Sequence, residues 1–211
     1  MKRLGRSFFE RYTPEVAKDL LGCLLLRKIR GKTLSGRIVE VEAYRGSDDP
    51  ASHSFRGATK RNAIMFGEAG HAYVFLSYGF HWCLNFTTEA RGQPGAVLIR
   101  ALEPVEGIEQ MVRNRGIAEL TRLTDGPGKL TKALAIDGDF DGEDVVESKR
   151  LFVTGREELV RIKASARIGV SKGREQQWRY FVDGNPFVSK GGNVGLEAFG
   201  GNQTSSRASQ P

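Results

Sequence analysis

The sequence predicts a single α+β domain built on a curved, mostly antiparallel β-sheet. Segments with strand patterning outnumber segments with helical spacing, and two of the strands are joined by a short turn. Short turns join antiparallel strands, whereas parallel strands need long crossovers. No repeat and no composition shift divides the chain before its last residues, so we expect the domain over residues 1–189 and a flexible tail over 190–211.

The first expected element is an amphipathic helix over residues 14–22. Thr13 suits the N-cap and Pro14 the first helical position. Apolar side chains then recur at helical spacing as far as Leu24.

A strand is expected over Thr33–Tyr44, because apolar and polar residues alternate there. Alternation places Ile38, Glu40, Glu42 and Tyr44 on one face. Two carboxylates and an aromatic ring on one strand face form either a plain polar face or, at a strand end that leads into a long loop, the floor of a site.

Residues 45–70 carry no long apolar pattern and form a long loop, a feature that is usually functional in a compact domain. Strands are expected over Ala72–Ser77 and Phe80–Phe86, with Tyr78-Gly79 as the hairpin turn, and over Ala96–Leu102. The second half of the chain is expected to hold helices from Pro104 to about Arg113 and over Lys129–Ala135, and strands near Leu151–Val153, Ala166–Val170 and Arg179–Val182.

Composition excludes several classes of protein. A hydrophobic fraction of 39% is too high for a disordered chain, and two cysteines cannot staple a fold of 211 residues. No apolar run reaches the roughly 20 residues of a membrane helix. We therefore expect a cytoplasmic protein with no membrane association.

The net charge of +7 is weak support for a polyanionic partner, and the distribution of the charge along the chain is more informative than the total. Residues 1–32 carry +6 and residues 151–211 carry +4, whereas 33–104 are neutral and 105–150 carry −3. If the partner is a nucleic acid, the two ends are expected to supply phosphate contacts and the middle a more specific contact.

Most familiar chemical sites are absent. Gly126-Pro127-Gly128-Lys129 lacks the spacing of a nucleotide phosphate loop and reads as a helix start. No His/Cys group has metal-ligand spacing, so neither a metal nor another cofactor is predicted. Arg100 is the anomaly, because it interrupts an apolar strand and needs a partner if it is buried.

Taken together, these segments resemble the alkyladenine/3-methyladenine DNA glycosylases, which are monofunctional base-excision repair enzymes. The similar stretches are Val39–Tyr44, Ala51–Ser54, Arg61–Phe66, Gly70–Asn85, Val97–Glu106, Gly126–Ile136 and Ala166–Val170. The resemblance implies a domain with a protruding β-hairpin that intercalates into DNA. The implied partner is double-stranded DNA containing a damaged purine, bound by a monomer that needs no protein partner and is associated with the bacterial nucleoid through DNA.

The resemblance also implies roles for individual residues. Glu42 would be the general base for water, with Glu40 as the second choice, and Arg100 and the Ile168 carbonyl would help to hold that water. Tyr44 would form one wall of the base pocket, and His53 with Phe75 the other. Asn85 would crowd the 2-amino group of normal guanine. The family's better-known members carry Tyr at the position of Phe75, so one hydroxyl is lost here.

Base extrusion leaves a gap in the duplex, and the resemblance implies that Tyr78 fills it. Candidate phosphate contacts are Arg61, Lys129, Arg56 and Lys60. No lysine of the similar stretches is placed to attack the sugar, which favours a water nucleophile over lyase chemistry. Three alternatives stay open: a catalytically inert nucleic-acid-binding module of this fold, a bifunctional glycosylase/lyase, and a small-molecule hydrolase using Glu42 and Arg100.

Overall fold

The described part of the chain folds around an eight-stranded sheet in which each adjoining pair of strands is antiparallel. The computed structural model describes residues 1–190. The strands are β1 (Leu24–Ile29), β2 (Lys32–Tyr44), β3 (Ala72–Ser77), β4 (His81–Thr88), β5 (Gly95–Glu106), β6 (Leu151–Thr154), β7 (Ile162–Ser165) and β8 (Arg179–Val182). The helices are α1 (Arg6–Phe9), α2 (Thr13–Leu20), α3 (Ile108–Arg115) and α4 (Pro127–Leu134). The predicted α+β class is confirmed.

Strand β2 is the centre of the sheet. The strand order is β3-β4-β5-β2-β1-β6, and β8 pairs with β2 and β7. The first half of β2 pairs with β1 and residues 40–42 pair with β8, while β5 follows its other side from Ser35 to Tyr44. The strands β2, β5, β4 and β3, which carry most of the candidate site residues, are therefore consecutive neighbours.

An irregularity between β2 and β5 lies beside the two carboxylates. Glu40 is opposite Ala101 and Val41 is opposite Ile99, so Arg100 has no register partner. Such bulges re-aim side chains and are frequent next to active sites. The alternation predicted for β2 breaks here: Ile38 joins the main core with Val41, whereas Val39 packs in a separate cluster.

Both faces of β2 are buried. Val41 and Ala43 belong to the main core, with residues of α2 and α4 such as Leu20 and Leu130. Glu42 alternates with them and so projects from the opposite face. The chain after residue 165 covers that face, since Ile168 and Ser189 contact the two carboxylates.

Three expected elements differ from the structure. The helix predicted over residues 14–22 is α2, which begins at Thr13, with Tyr12 rather than Thr13 at its N-cap, and ends at Leu20; Leu24 begins strand β1, which was not predicted. Strand β5 continues through Pro104, which lies opposite Gly36 at a register shift where the missing N–H is tolerated, and the next helix begins at Ile108. Residues 166–170 form no strand, because the strand of this region is β7, Ile162–Ser165.

The expected flexible tail, apart from Lys190, lies outside the described residues. Within residues 1–190, no helix combines the length and the apolar character that a membrane crossing requires.

Candidate active site

A cavity of about 510 Å³ collects most of the predicted site residues. This volume lies in the range of ordinary small-ligand pockets. The predicted residues that line it are Tyr44, His53, Phe75, Tyr78, Asn85, Arg100 and Ile168. They come from β2, the 45–70 loop, β3, β4, β5 and the segment after β7, so the fold unites segments far apart in the chain.

Glu42 lies behind this lining and is fully buried. Its Oε1 accepts a hydrogen bond from the backbone N–H of Ile168 at 2.7 Å. Its Oε2 accepts from the Tyr44 hydroxyl at 2.8 Å and from Arg100 Nη1 at 3.2 Å. A carboxylate offers about four lone-pair sites, so these three donors leave one acceptor site for a further partner.

Arg100 joins the two carboxylates of β2. Its Nε donates to Glu40 at 3.1 Å while its Nη1 donates to Glu42, and the residue also lines the cavity. Burial alone would lower the pKa of Arg100, but the charges of Glu42 and Glu40 outweigh burial and raise it. The cavity floor therefore holds a permanent cation, and the unpaired charge noted in the sequence has two partners.

Glu40 is equally buried but belongs to a different set of contacts. Arg179 Nε donates to its Oε1 at 2.7 Å, and the backbone N–H of Ser189 donates to its Oε2 at 2.7 Å. It does not line the cavity. Its contacts hold Arg100 and anchor the end of the described chain.

Tyr44 forms a cavity wall whose hydroxyl is fixed. Burial, together with the neighbouring Glu42 charge, raises the pKa of Tyr44 well above its ordinary value, so the hydroxyl keeps its proton and donates to Glu42. The guanidinium of Arg167 lies 4.7 Å from the centroid of the Tyr44 ring. Arg167 is buried and does not line the cavity, so it supports the ring from behind.

A buried ion pair that sequence reasoning missed ties the walls together. Arg167 donates to both carboxylate oxygens of Asp49 at 2.7 Å each, and both side chains are fully buried. Arg167 also donates to the Ala43 carbonyl, and Asp49 accepts from the backbone N–H of Arg45 and Ala51. The pair thus joins the end of β2, the 45–70 loop and the segment that contains Ile168.

His53 and Phe75 form the opposite wall. Their ring centroids are 4.6 Å apart in an edge-to-face arrangement. His53 Nδ1 lies 2.8 Å from the hydroxyl of Tyr73, and Asn62 donates to the His53 carbonyl at 2.8 Å. Desolvation, with a smaller effect of the Arg61 charge, lowers the pKa of His53. At neutral pH its ring is therefore uncharged.

Asn85 lines the cavity with its orientation fixed. The residue is buried, and its Nδ2 donates to the Tyr73 carbonyl on the paired strand at 3.0 Å. The amide oxygen is thus the atom left for another contact.

The turn between β3 and β4 exposes two aromatic side chains. Tyr78 is 83% exposed and Phe80 is 68% exposed, although large aromatic side chains usually find cover. Tyr78 and Gly79 both have positive φ, +51° and +79°, as in the turn that matches the twist of a tight hairpin. An L-residue with a large side chain is strained there, which indicates a role for Tyr78 other than packing.

The four candidate phosphate contacts have different surroundings. Arg56 and Lys60 are exposed on the 45–70 loop. Lys129 pairs with Asp125 at 2.8 Å on α4. The Arg61 guanidinium lies 5.0 Å from the centroid of the Phe75 ring, beside the cavity wall.

Sequence reasoning missed several residues of the site. Arg167 and Arg179 had a usable signal, since each is a cation beside short apolar runs, as Arg100 is. Asp49 had none, because it stands among the acidic residues of a loop. Lys172 lines the cavity as well, and it lies outside the stretches in which no lysine is placed to attack the sugar.

The arrangement suits a flat ring held between aromatic walls, with a guanidinium at the floor and a carboxylate directly behind it. It is compatible with cleavage of a bond through a cationic transition state, because a buried carboxylate can accept a proton and stabilise positive charge.

Comparison with known proteins gives a consistent picture. A model of the family described as methylpurine-DNA glycosylase (MPG) matches residues 7–186. A protein of Carboxydothermus hydrogenoformans is 47% identical, over 89% of this chain and 98% of its own length. A protein of Chlorobium phaeobacteroides is 46% identical, over 90% and 98%, and one of Rhodopseudomonas palustris 48% identical, over 89% and 91%. All three carry the name "Putative 3-methyladenine DNA glycosylase".

Proposed function

Because this chain belongs to the methylpurine-DNA glycosylase family, we propose that it removes alkylated or deaminated purines from double-stranded DNA by hydrolysing the N-glycosidic bond. The candidate lesions are 3-methyladenine, 7-methylguanine, hypoxanthine and 1,N6-ethenoadenine. The observation that carries the proposal is the buried Glu42–Arg100 pair, in which Arg100 lines the floor of an aromatic cavity and Glu42 lies behind it.

In this mechanism Glu42 is the general base. Its free acceptor site takes a proton of a water molecule that enters beside Arg100, whose contact with Glu42 is the longest of the three at 3.2 Å. The Ile168 carbonyl is the third group proposed to hold this water. The carboxylate charge also stabilises the oxocarbenium-like sugar as the base departs.

The flipped base stacks between Tyr44 on one side and His53 with Phe75 on the other. Alkylation at N3 or N7 makes a purine cationic, and aromatic faces attract cations. The Asn85 side chain, fixed by the bond from Nδ2 to the Tyr73 carbonyl, is proposed to crowd the 2-amino group of normal guanine and so to disfavour that base sterically.

Tyr78 fills the gap that the extruded nucleotide leaves. Its high exposure and its position at the hairpin turn support this role, and wedges of this kind cost a few kcal/mol of unstacking. Arg56, Lys60, Arg61 and Lys129 are proposed to contact phosphates. Since one chain supplies every proposed site residue, we propose that the monomer suffices, with residues 1–189 as the glycosylase domain.

The experiment that tests the proposal measures release of free base from duplexes that each contain one of the four lesions. We expect release that leaves an abasic site and no strand break until alkali is added. If no base is released from any duplex, the function is wrong. Strand nicking without alkali, with a borohydride-trapped adduct that disappears in Lys172→Ala, would instead show lyase chemistry at the cavity rim.

A further inference from the structure

We propose that Arg61 is a specificity-determining residue, which lowers the preference of the cavity for cationic alkylated purines relative to neutral purine lesions. The inference rests on the proposed function, because it concerns the charge of the base that this cavity accepts. It adds a residue that influences which damaged bases are accepted, since aromatic walls alone would favour cationic bases.

The geometry of the Phe75 wall is the first step. The Arg61 guanidinium lies over the Phe75 ring, 5.0 Å from its centroid, within the range of a cation–π contact. Phe75 lines the cavity, and Arg61 does not. The guanidinium is therefore placed against the ring without occupying the cavity, and a base stacked on Phe75 from the cavity side shares that ring with an existing cation.

Charge compensation distinguishes this wall from the other. Behind Tyr44, the guanidinium of Arg167 is neutralised by the buried carboxylate of Asp49. Within residues 1–190, Arg61 is exposed and belongs to none of the ion pairs, so its positive charge is screened by solvent but not compensated by a carboxylate of the protein. The two aromatic walls thus present different electrostatics to a bound base: a neutral pair behind Tyr44 and a free cation beside Phe75.

The field of Arg61 reaches other groups in the cavity. Besides desolvation, the Arg61 charge contributes to the lowered pKa of His53, which lies in the same wall. The Arg61 charge that disfavours a protonated His53 ring would also repel a cationic base stacked between these walls. A neutral hypoxanthine or ethenoadenine would not be repelled. Arg100 at the floor adds a second positive charge, but Glu40 and Glu42 compensate it.

The test compares two lesions rather than measuring one rate. Single-turnover release is measured from otherwise identical duplexes that contain 7-methylguanine, which is cationic, or hypoxanthine, which is neutral. The proteins are the full-length wild type, Arg61→Gln and Arg61→Lys. Because any loss of a phosphate contact affects both duplexes alike, the ratio of the two rates isolates the effect on the base. Arg56→Gln is the matched control, since Arg56 is an exposed arginine on the same loop.

We expect Arg61→Gln to raise the ratio of 7-methylguanine to hypoxanthine release by about 3- to 10-fold, the size of one cation–π contact or of one screened charge at this separation. Arg61→Lys should keep most of the wild-type ratio, and Arg56→Gln should keep all of it while both rates fall. An unchanged or lower ratio in Arg61→Gln overturns the inference and leaves the proposed function intact. If the wild type releases neither of these bases but does release 3-methyladenine or ethenoadenine, only this inference is overturned; release of none of the four bases contradicts the proposed function as well.

Discussion

Replacing Asp49 with asparagine should strongly destabilise the protein. The two Asp49 oxygens accept hydrogen bonds from Arg167 Nη1 and Nη2, at 2.7 Å each, and from the backbone N–H of Arg45 and Ala51, at 3.0 and 3.1 Å. An asparagine can accept on one side only, so its NH₂ group faces two donors. It also leaves the fully buried Arg167 without a counter-charge.

The magnitude follows from burial. Breaking a buried ion pair by removing one partner typically costs about 3–5 kcal/mol. For a chain of this size each kcal/mol lowers Tm by roughly 2–4 °C, so Asp49→Asn should lower Tm by about 6–20 °C. The loss should appear in the urea midpoint with an unchanged m-value.

The matched control is Glu119→Gln. It removes one partner of an exposed ion pair with Arg122, whose side chains are 59% and 63% exposed. An exposed pair contributes about 0–1 kcal/mol, so thermal and urea unfolding of this variant should match the wild type closely. If Asp49→Asn is no less stable than Glu119→Gln, the reasoning that this pair ties together the cavity walls is refuted.

Two further predictions concern the cavity and the hairpin. Tyr78→Ala should weaken binding to a lesion duplex several-fold more than binding to an undamaged duplex, since only an extruded base leaves a gap; equal losses in equilibrium titrations would argue against a wedge. Arg61→Gln should raise the pKa of His53, because a neighbouring cation disfavours the imidazolium, and NMR titration can follow this among the three histidines. The lowered pKa of His53 also sets how stability depends on pH in the wild type. The unfolded chain binds a proton at His53 more readily than the folded protein does, so the free energy of unfolding should fall as pH drops below about 6.5. A His53 pKa that does not change in Arg61→Gln would show that the guanidinium does not act on this wall.

The alternation of apolar and polar residues predicted the strands in which that alternation is regular. It gave a wrong strand where a segment is held by side-chain contacts instead of by hydrogen bonds between strands. The bounds of β3 and β8 are those predicted, and β2 begins only one residue earlier. Residues 166–170 looked like a strand because they are partly apolar. In the structure Arg167 turns to Asp49, and the N–H of Ile168 bonds Glu42. Those partners are more than 100 residues distant, so no local pattern could reveal them.

The missed strand β1 and the strand extension through Pro104 have local causes. Leu24 continues the helical spacing of α2, but Gly22 adopts φ +86° and turns the chain into the sheet. Pro104 usually ends a strand, and here the register shift at Gly36 accommodates it. A single sequence shows neither the conformation of the turn nor the bulge.

Two site residues stood out from the local pattern of the sequence, whereas the cavity walls and the hairpin tyrosine were assigned by resemblance. Glu42 is a carboxylate on a strand buried on both faces, and Arg100 is a cation between apolar neighbours. The contact between Glu40 and Arg179 could not be predicted from the sequence, because Arg179 comes close to Glu40 only when β8 pairs with β2. This contact gives Glu40 a partner that Glu42 lacks.

The central claim, that Glu42 activates the attacking water, is tested most directly by single-turnover base release from one lesion duplex with wild type, Glu42→Gln and Glu40→Gln. Glu40 is the matched control because it is also buried on β2 and bonded to Arg100. Its other partners are Arg179 and Ser189, whereas all three partners of Glu42 line the cavity. Loss of a general base costs about 10²- to 10⁴-fold, so Glu42→Gln should release base at least 100-fold more slowly than wild type while binding the lesion duplex. Glu40→Gln, once its folded fraction is corrected for, should retain more activity. Equal rates for wild type and Glu42→Gln would contradict the claim.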